Sequence, residues 1–215
     1  MTTNAEILTL AQWLSPAFPV GAFVYSHGLE TAIQDERIKS AKTLEVWLSD
    51  VLQYGTGKND CILLRAAFAS PDADALLKVD VTARAFAASA ERLKETQLQG
   101  AAFAATTAAI WGEPAMDLTY PVAVGAAAAR LKINVDLTCA MYLQAFASNL
   151  VSAAVRLVPL GQTEGQAVLA QLTPLCGDIA AATQTKTLDD LQSTAFVSDI
   201  AAMHHETLSH RIFRS

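Results

Sequence analysis

The chain has 215 residues, a net charge of −6 and a pI near 5.1, with 52% of its residues hydrophobic and 17% charged. Disorder is excluded, because it needs low hydrophobicity and high net charge, and so is a nucleic-acid surface, because no run of Lys and Arg stands ready for phosphates. This length supports one sizeable core, in one or two domains.

The N-terminus MTTNAEILTL has no basic region followed by a long apolar one, so no secretory signal is expected and the cytoplasm is the expected compartment. Asn4 is placed to cap a first helix running to Leu14, with Ile7, Leu8, Ala11 and Leu14 at helical spacing. Pro16 stops it, since a residue before proline is pushed out of the α region. The stretch SPAFPVGAFVYSHGLE, residues 15–30, is too broken by Pro16, Pro19 and Gly21 for a helix. With Phe18, Phe23 and Tyr25 it is also too apolar for a solvated loop. A short helix is predicted over 26–34, where Leu29 and Ile33 share a face and Glu30 stands three residues after His27, placed to pair with it.

Ser40 caps the next helix, whose Leu44, Trp47, Leu48, Val51 and Leu52 form one apolar stripe. Gly55-Thr56-Gly57 is expected to end it, and Asn59 or Asp60 to open another that closes near Ser70-Pro71. The string Tyr54-Gly-Thr-Gly-Lys-Asn59 imitates part of a phosphate-binding loop. Leu52 and Asn59 occupy positions where that loop needs a glycine and a Ser or Thr, so a turn between helices is the reading. From Asp72 to Trp111 two helices with a bend are predicted, packing through Leu93, Phe103 and Ile110. Gly112, Pro114 and Pro121 bracket a connection to an alanine-rich helix over 122–131.

Asp136 is placed to cap a long helix ended by Pro159. Between Asp136 and Arg156 there is no charge, about the length that crosses a bilayer, but Gln144 and Asn149 lie inside it and no aromatic or basic belt flanks it. A buried core helix is the reading, with no membrane partner. Thr163-Glu-Gly-Gln166 has the form of a capping box, with the helix running to Thr173 and restarting at Pro174. Thr187 and Asp190 offer a similar start for the last helix. Cys61, Cys139 and Cys176 are far apart and odd in number, which points to packed thiols in a reducing compartment rather than a disulfide framework. No period-two alternation of strand type occurs, so an all-α, single-domain helical bundle spanning 1–215 is expected.

No catalytic constellation emerges. Ser26 and His27 are neighbours, whose side chains diverge on a helix, and a nucleophile needs its base within hydrogen-bond reach. His204 and His205 diverge by about a hundred degrees, leaving Glu206 and His210 as two ligands on one face, a weak metal site without help from elsewhere. The tail HRIFRS mixes arginines with large apolar groups, as interface hot spots do. Chain ends are often weakly tied, so deleting 209–215 is expected to leave the fold intact. From physics alone, self-packing and partner docking remain equal readings of the 15–30 segment and of the tail.

SPAFPVGAFVYSHGLE resembles the N-terminal signature of the urease accessory protein UreF family. SNLVSAAVRLVPLGQTEGQ and DIAAMHHETLSHRIFRS resemble its later blocks in the same order, and ERLKETQLQG resembles a stretch between them. The chain departs from the family pattern at Ala22, Val24 and His204. The resemblance implies an all-helical, dimeric protein that is not an enzyme. Such a protein binds UreD (also called UreH), recruits the GTPase UreG and takes part in nickel delivery to apo-urease, with nickel handled by the complex and no cofactor held stably. It implies that the N-terminal segment and the tail become ordered on binding UreD. Carried over by motif, it implies partner-binding roles for Tyr25, Ser26, His27 and Glu30 in the first block, Arg156, Gln162 and Gln166 in the second, and His205, Glu206, Arg211 and Arg214 in the third. Gln166 reads equally as a helix cap. The alternative is an independent helical nickel carrier using the C-terminal histidines.

Overall fold

The computed structural model describes residues 2–112 and 115–215. Pro114, expected to bracket a connection, lies outside the described residues. The described residues are all-α and hold no strand.

Helix α1 spans Asn4–Trp13, but its cap is Thr3, not Asn4. The Thr3 hydroxyl accepts from the Glu6 amide at 3.3 Å, and the Glu6 carboxylate accepts from the Thr3 amide at 3.0 Å. Residues 14–28 then turn irregularly around a short 3-10 turn at Ala22–Val24. Helix α2, Leu29–Gln34, begins three residues later than the periodicity predicts, because His27 (φ 55°) and Gly28 (φ 74°) are left-handed. Helix α3, Ala41–Tyr54, has the Ser40 cap and buries Leu44, Leu48, Val51 and Leu52 as read from the stripe.

Only Gly55 separates α3 from α4, Thr56–Phe68, so Thr56 and Gly57 are already helical and Asn59 and Asp60 are not its start. The predicted bend falls between α5, Ala73–Ala85, and α6, Ala90–Trp111, which Asp72 and Ser89 cap. The buried face of α6 carries Glu95, Gln99, Gly100, Phe103 and Thr107, while Ile110 is exposed and Leu93 half-buried. Ile110 was expected to pack; seven residues after Phe103 it shares nearly the same face, but it stands in the last turn of α6, where it is exposed.

Helix α7, Tyr120–Arg130, is the innermost, with every residue from Pro121 to Ala128 buried. It sits against α4 and α6, and its alanines allow that approach. Helix α8, Val135–Leu157, is capped by Asn134; Asp136 sits in its first turn and pairs with Arg65 at 2.7 Å. Among the described residues it is the one helix long and apolar enough to cross a membrane, and half of that stretch is buried inside the protein against its neighbours, chiefly α9.

Helix α9, Gln162–Ala182, corrects two expectations. Its cap is Gly161, whose amide donates to Glu164 at 2.9 Å, so neither Thr163 nor Gln166 makes the predicted box. It also runs unbroken through Pro174. Proline removes one helical hydrogen bond and frees the carbonyl of Ala170; both residues are exposed, so the freed carbonyl lies on the solvent side of the helix. Thr187 and Asp190 do form a box, but it opens only a 3-10 turn, Leu188–Asp190. The last helix is α10, Phe196–His205. Asn59 exchanges hydrogen bonds with the Gln192 backbone (3.0 and 3.3 Å) and Thr194 donates to the Tyr54 oxygen (2.9 Å), fixing where α10 starts. One hydrophobic core joins Leu10 and Trp13 to Phe213. The three cysteines are free and buried, and Cys61 and Cys139 meet across α4 and α8.

Candidate functional site

The tail is not loosely tied. Phe213 and Ser215 are buried, and the Arg214 amide donates to the Val24 oxygen at 2.8 Å. The Ser26 amide (2.7 Å) and the Ser26 hydroxyl both donate to the main-chain oxygen of Ser215. The tail thus runs along residues 24–26, bonded largely through backbone, so Val24 loses nothing there by lacking a hydroxyl. Gly28 is required at the turn: a Cβ there would stand 2.5 Å from the Ala202 amide nitrogen of α10.

Glu30 fastens this arrangement. Its two oxygens accept from the amides of Ile212 (2.8 Å) and Phe213 (3.0 Å), and one lies 3.3 Å from His205 Nε2. His205, fully buried, places Nδ1 2.6 Å from Glu91, which also meets Arg211. Glu206 accepts from the Ala90 amide at 2.8 Å, at the exposed N-terminus of α6, where a carboxylate is favoured.

His27 does not pair with Glu30. Its left-handed backbone turns the imidazole away from the face of α2, and Nε2 lies 2.8 Å from Glu95 and 2.7 Å from Arg92. The ring meets Phe146 edge-on at 4.6 Å. Burial, then the Arg92 charge, hold the His27 pKa below its ordinary value despite Glu95. Glu95 also accepts from Gln99 (3.1 Å) and from the Ser215 hydroxyl (2.8 Å). Burial opposes its ionisation, but Arg92 and His27 outweigh that and bring its pKa down to about 2. Burial, then Glu95, push the Tyr25 phenol up, against the pull of Arg214.

The structure therefore brings Tyr25, Ser26, His27, Glu30, His205, Glu206, Arg211 and Arg214 into one clasp. Tyr25, Ser26, His27, Glu30 and His205 are buried in it; Glu206, Arg211 and Arg214 are exposed. Arg156, exposed on α8, reaches the Phe23 oxygen at 3.5 Å on its edge. Gln162 and Gln166 are exposed on α9, and among the described residues no hydrogen bond joins them to the clasp. Among the described residues no three His, Cys, Asp or Glu side chains converge to hold a metal.

Sequence reasoning passed over Glu91, Arg92, Glu95, Gln99 and Ser215. The signal was the i, i+4 series Glu91, Glu95, Gln99, Phe103, Thr107, which puts polar groups on the face that Phe103 marks as buried. Asp60 was passed over too. It accepts from the Tyr142 hydroxyl at 2.8 Å, and burial, only partly offset by Arg92, pushes its pKa up to about 6. The ionised form is thus penalised in the fold. That penalty is full above pH 6 and gone below the ordinary value of 3.8. Asp60→Asn is expected to stabilise the protein by about 1–3 kcal/mol near neutrality, with the gain vanishing near pH 4. Urea midpoints at both pH values check this; a loss of stability at neutral pH would refute it.

The UreF family model matches residues 38–173. Three relatives named urease accessory protein UreF align over nearly the whole chain. That of Ruegeria pomeroyi is 51% identical over 99% of this chain and 98% of its own. That of Roseobacter denitrificans is 53% identical over 100% and 96%, and that of Cereibacter sphaeroides 54% identical over 99% and 100%. With the model covering most of the chain and identities above half extending through the clasp, this chain belongs to the UreF family of urease accessory proteins, a chaperone-type family rather than a family of enzymes.

Proposed function

We propose that this chain is the helical scaffold of urease metallocentre assembly in the cytoplasm. In this reading it works as a homodimer, binds a UreD-type (UreH-type) partner, and with that partner recruits the GTPase UreG for nickel insertion into apo-urease. The observation that supports it most is an uncovered apolar stripe on α10. Phe196 (65% exposed), Val197, Ile200 and Met203 all stand in solvent at i, i+1, i+4 and i+7. Ile212 of the tail (74% exposed) and Phe23 of the N-terminal segment are exposed as well. Large apolar side chains grouped on one helix face mark a protein interface. On this reading the buried residues of the clasp hold the frame, and Glu206, Arg211 and Arg214 meet the partner at its rim.

The test is co-expression with a UreD-type chain under reducing conditions, followed by addition of UreG. UreD is expected to co-purify with this chain, and UreG to join only when both are present. Ile200→Asp with Phe196→Asp should reduce UreD capture at least about ten-fold, with helical circular dichroism unchanged. Capture of neither partner by the wild-type chain would end the proposal.

A further inference from the structure

Beneath the N-terminal segment lies a cavity of about 400 Å³, bounded by residues 11–27 and by α4, α6, α7 and α8. That volume is in the range of small-molecule sites. Trp13, Phe18, Met141 and Phe146 give it apolar walls, and Ser148 and Ser152 line it toward the exposed Arg156. Asp60, Tyr120 and Tyr142 line it as well, with the two tyrosine rings 5.5 Å apart.

The charges of this cavity are unevenly satisfied. Glu95 is met by His27, Arg92, Gln99 and Ser215, and Arg92 is committed to Glu95 and His27. Arg156 leans on the Phe23 oxygen in solvent, where its charge is screened. Asp60 differs. Among the described residues it accepts one hydrogen bond, from Tyr142, and its other oxygen has none. The Tyr120 hydroxyl has no hydrogen-bond partner among the described residues either, although its ring lines the same space. The cation that acts on this carboxylate is Arg92, already held by Glu95 and His27, and the aromatic rings of Tyr120 and Tyr142 line the same space, a setting that favours a further cation. A bare divalent ion is poorly served, because no three metal-ligating side chains converge among the described residues.

We propose that this cavity binds a small organic cation with an apolar body, an alkyl- or arylammonium, its charge on Asp60 beside the rings of Tyr120 and Tyr142. The groups facing Asp60 are Arg92 and Glu95 from α6, Tyr120 from α7 and Tyr142 from α8, with His27 beyond Arg92. The raised pKa of Asp60 adds a signature: a bound cation draws it down, so binding releases protons near pH 6. The site is independent of the docking surface on α10 and does not rest on the scaffold reading.

The experiment is calorimetric titration of the purified full chain with phenethylammonium at about pH 7.5, with phenylethanol as the uncharged isostere. Saturable ammonium binding is expected, at least about ten-fold tighter than the alcohol. It should weaken about ten-fold by pH 5, where Asp60 is protonated. Asp60→Asn should erase the preference for the cation. Ser148→Trp, which fills the cavity from α8 and leaves the Asp60 side chain in the protein, should abolish binding of both probes and checks the Asp60 variant independently. Equal binding of ammonium and alcohol overturns the proposal. So does no saturable binding up to about 10 mM, or a Ser148→Trp protein that binds like wild type.

Discussion

Glu30→Ala is expected to free the tail and to cost about 3 kcal/mol of stability or more. The residue is 3% exposed, and its side chain accepts from two consecutive tail amides while facing a fully buried imidazole. Truncation leaves the Phe213 amide and His205 Nε2 inside the protein with nothing in place of the carboxylate, and an unpaired buried polar group costs its full desolvation. Glu30→Gln should fall between, since its amide keeps one acceptor but turns a second donor toward the tail. The measurement is hydrogen exchange at Ile212 and Phe213 together with a urea titration. Retained protection of both amides at an unshifted midpoint would show that Glu30 is not the fastener. The same result bears on deletion of 209–215. Removing Phe213 and Ser215 takes buried groups from the core, so that deletion is expected to lower stability, against what a loosely tied tail would give.

Gly100→Ala is expected to be at least as damaging, about 3 kcal/mol or more. A Cβ at Gly100 would stand 1.9 Å from the Leu118 oxygen, 2.7 Å from the Thr119 carbonyl carbon and 2.8 Å from the Tyr120 nitrogen. All three are backbone, so no side chain can rotate aside. The N-terminus of α7 would have to move off α6, disturbing the bonds from the Thr119 amide to Asp80 and from the Tyr120 amide to Thr96. Gly177→Ala supplies the contrast. Its Cβ would meet nothing within 4 Å in the exposed face of α9, so the same substitution should stabilise by about 0.5–1 kcal/mol through helix propensity. Thermal unfolding of the pair separates the two causes; a Gly100→Ala protein within about 1 kcal/mol of wild type would mean that the α6–α7 approach is soft.

Much of the helical layout is legible in the order of residues, because capping serines, apolar stripes and prolines act locally. Ser40 and the stripe from Leu44 to Leu52 behave as their spacing says. The misreadings come from local signals with competitors a residue or two away. Thr3 outcompetes Asn4 and Asn134 outcompetes Asp136, and Gly161 with Glu164 displaces Thr163 with Gln166. Pro174 misleads because its cost depends on which side of the helix meets water, which periodicity alone did not weigh. At the candidate site, the resemblance singled out most of the residues that form the clasp. It could not say that five of them are buried, or that His27 and Glu30, three apart, face different partners. That outcome depends on left-handed backbone at two successive positions and on a tail nearly the whole chain away.

The bond between Ser26 and Ser215 spans 189 positions, and this has a consequence for synthesis. At roughly 5–20 residues per second, the first half of the clasp leaves the ribosome some ten to forty seconds before its second half exists. Throughout that interval Glu30, His27 and the Ser26 amide are without Phe213, Ser215 and His205, however complete the helices behind them. The newborn protein therefore passes through an unlatched stage set by the order of translation, and whatever meets the Ser26–Glu30 turn during it meets a surface that the finished fold conceals.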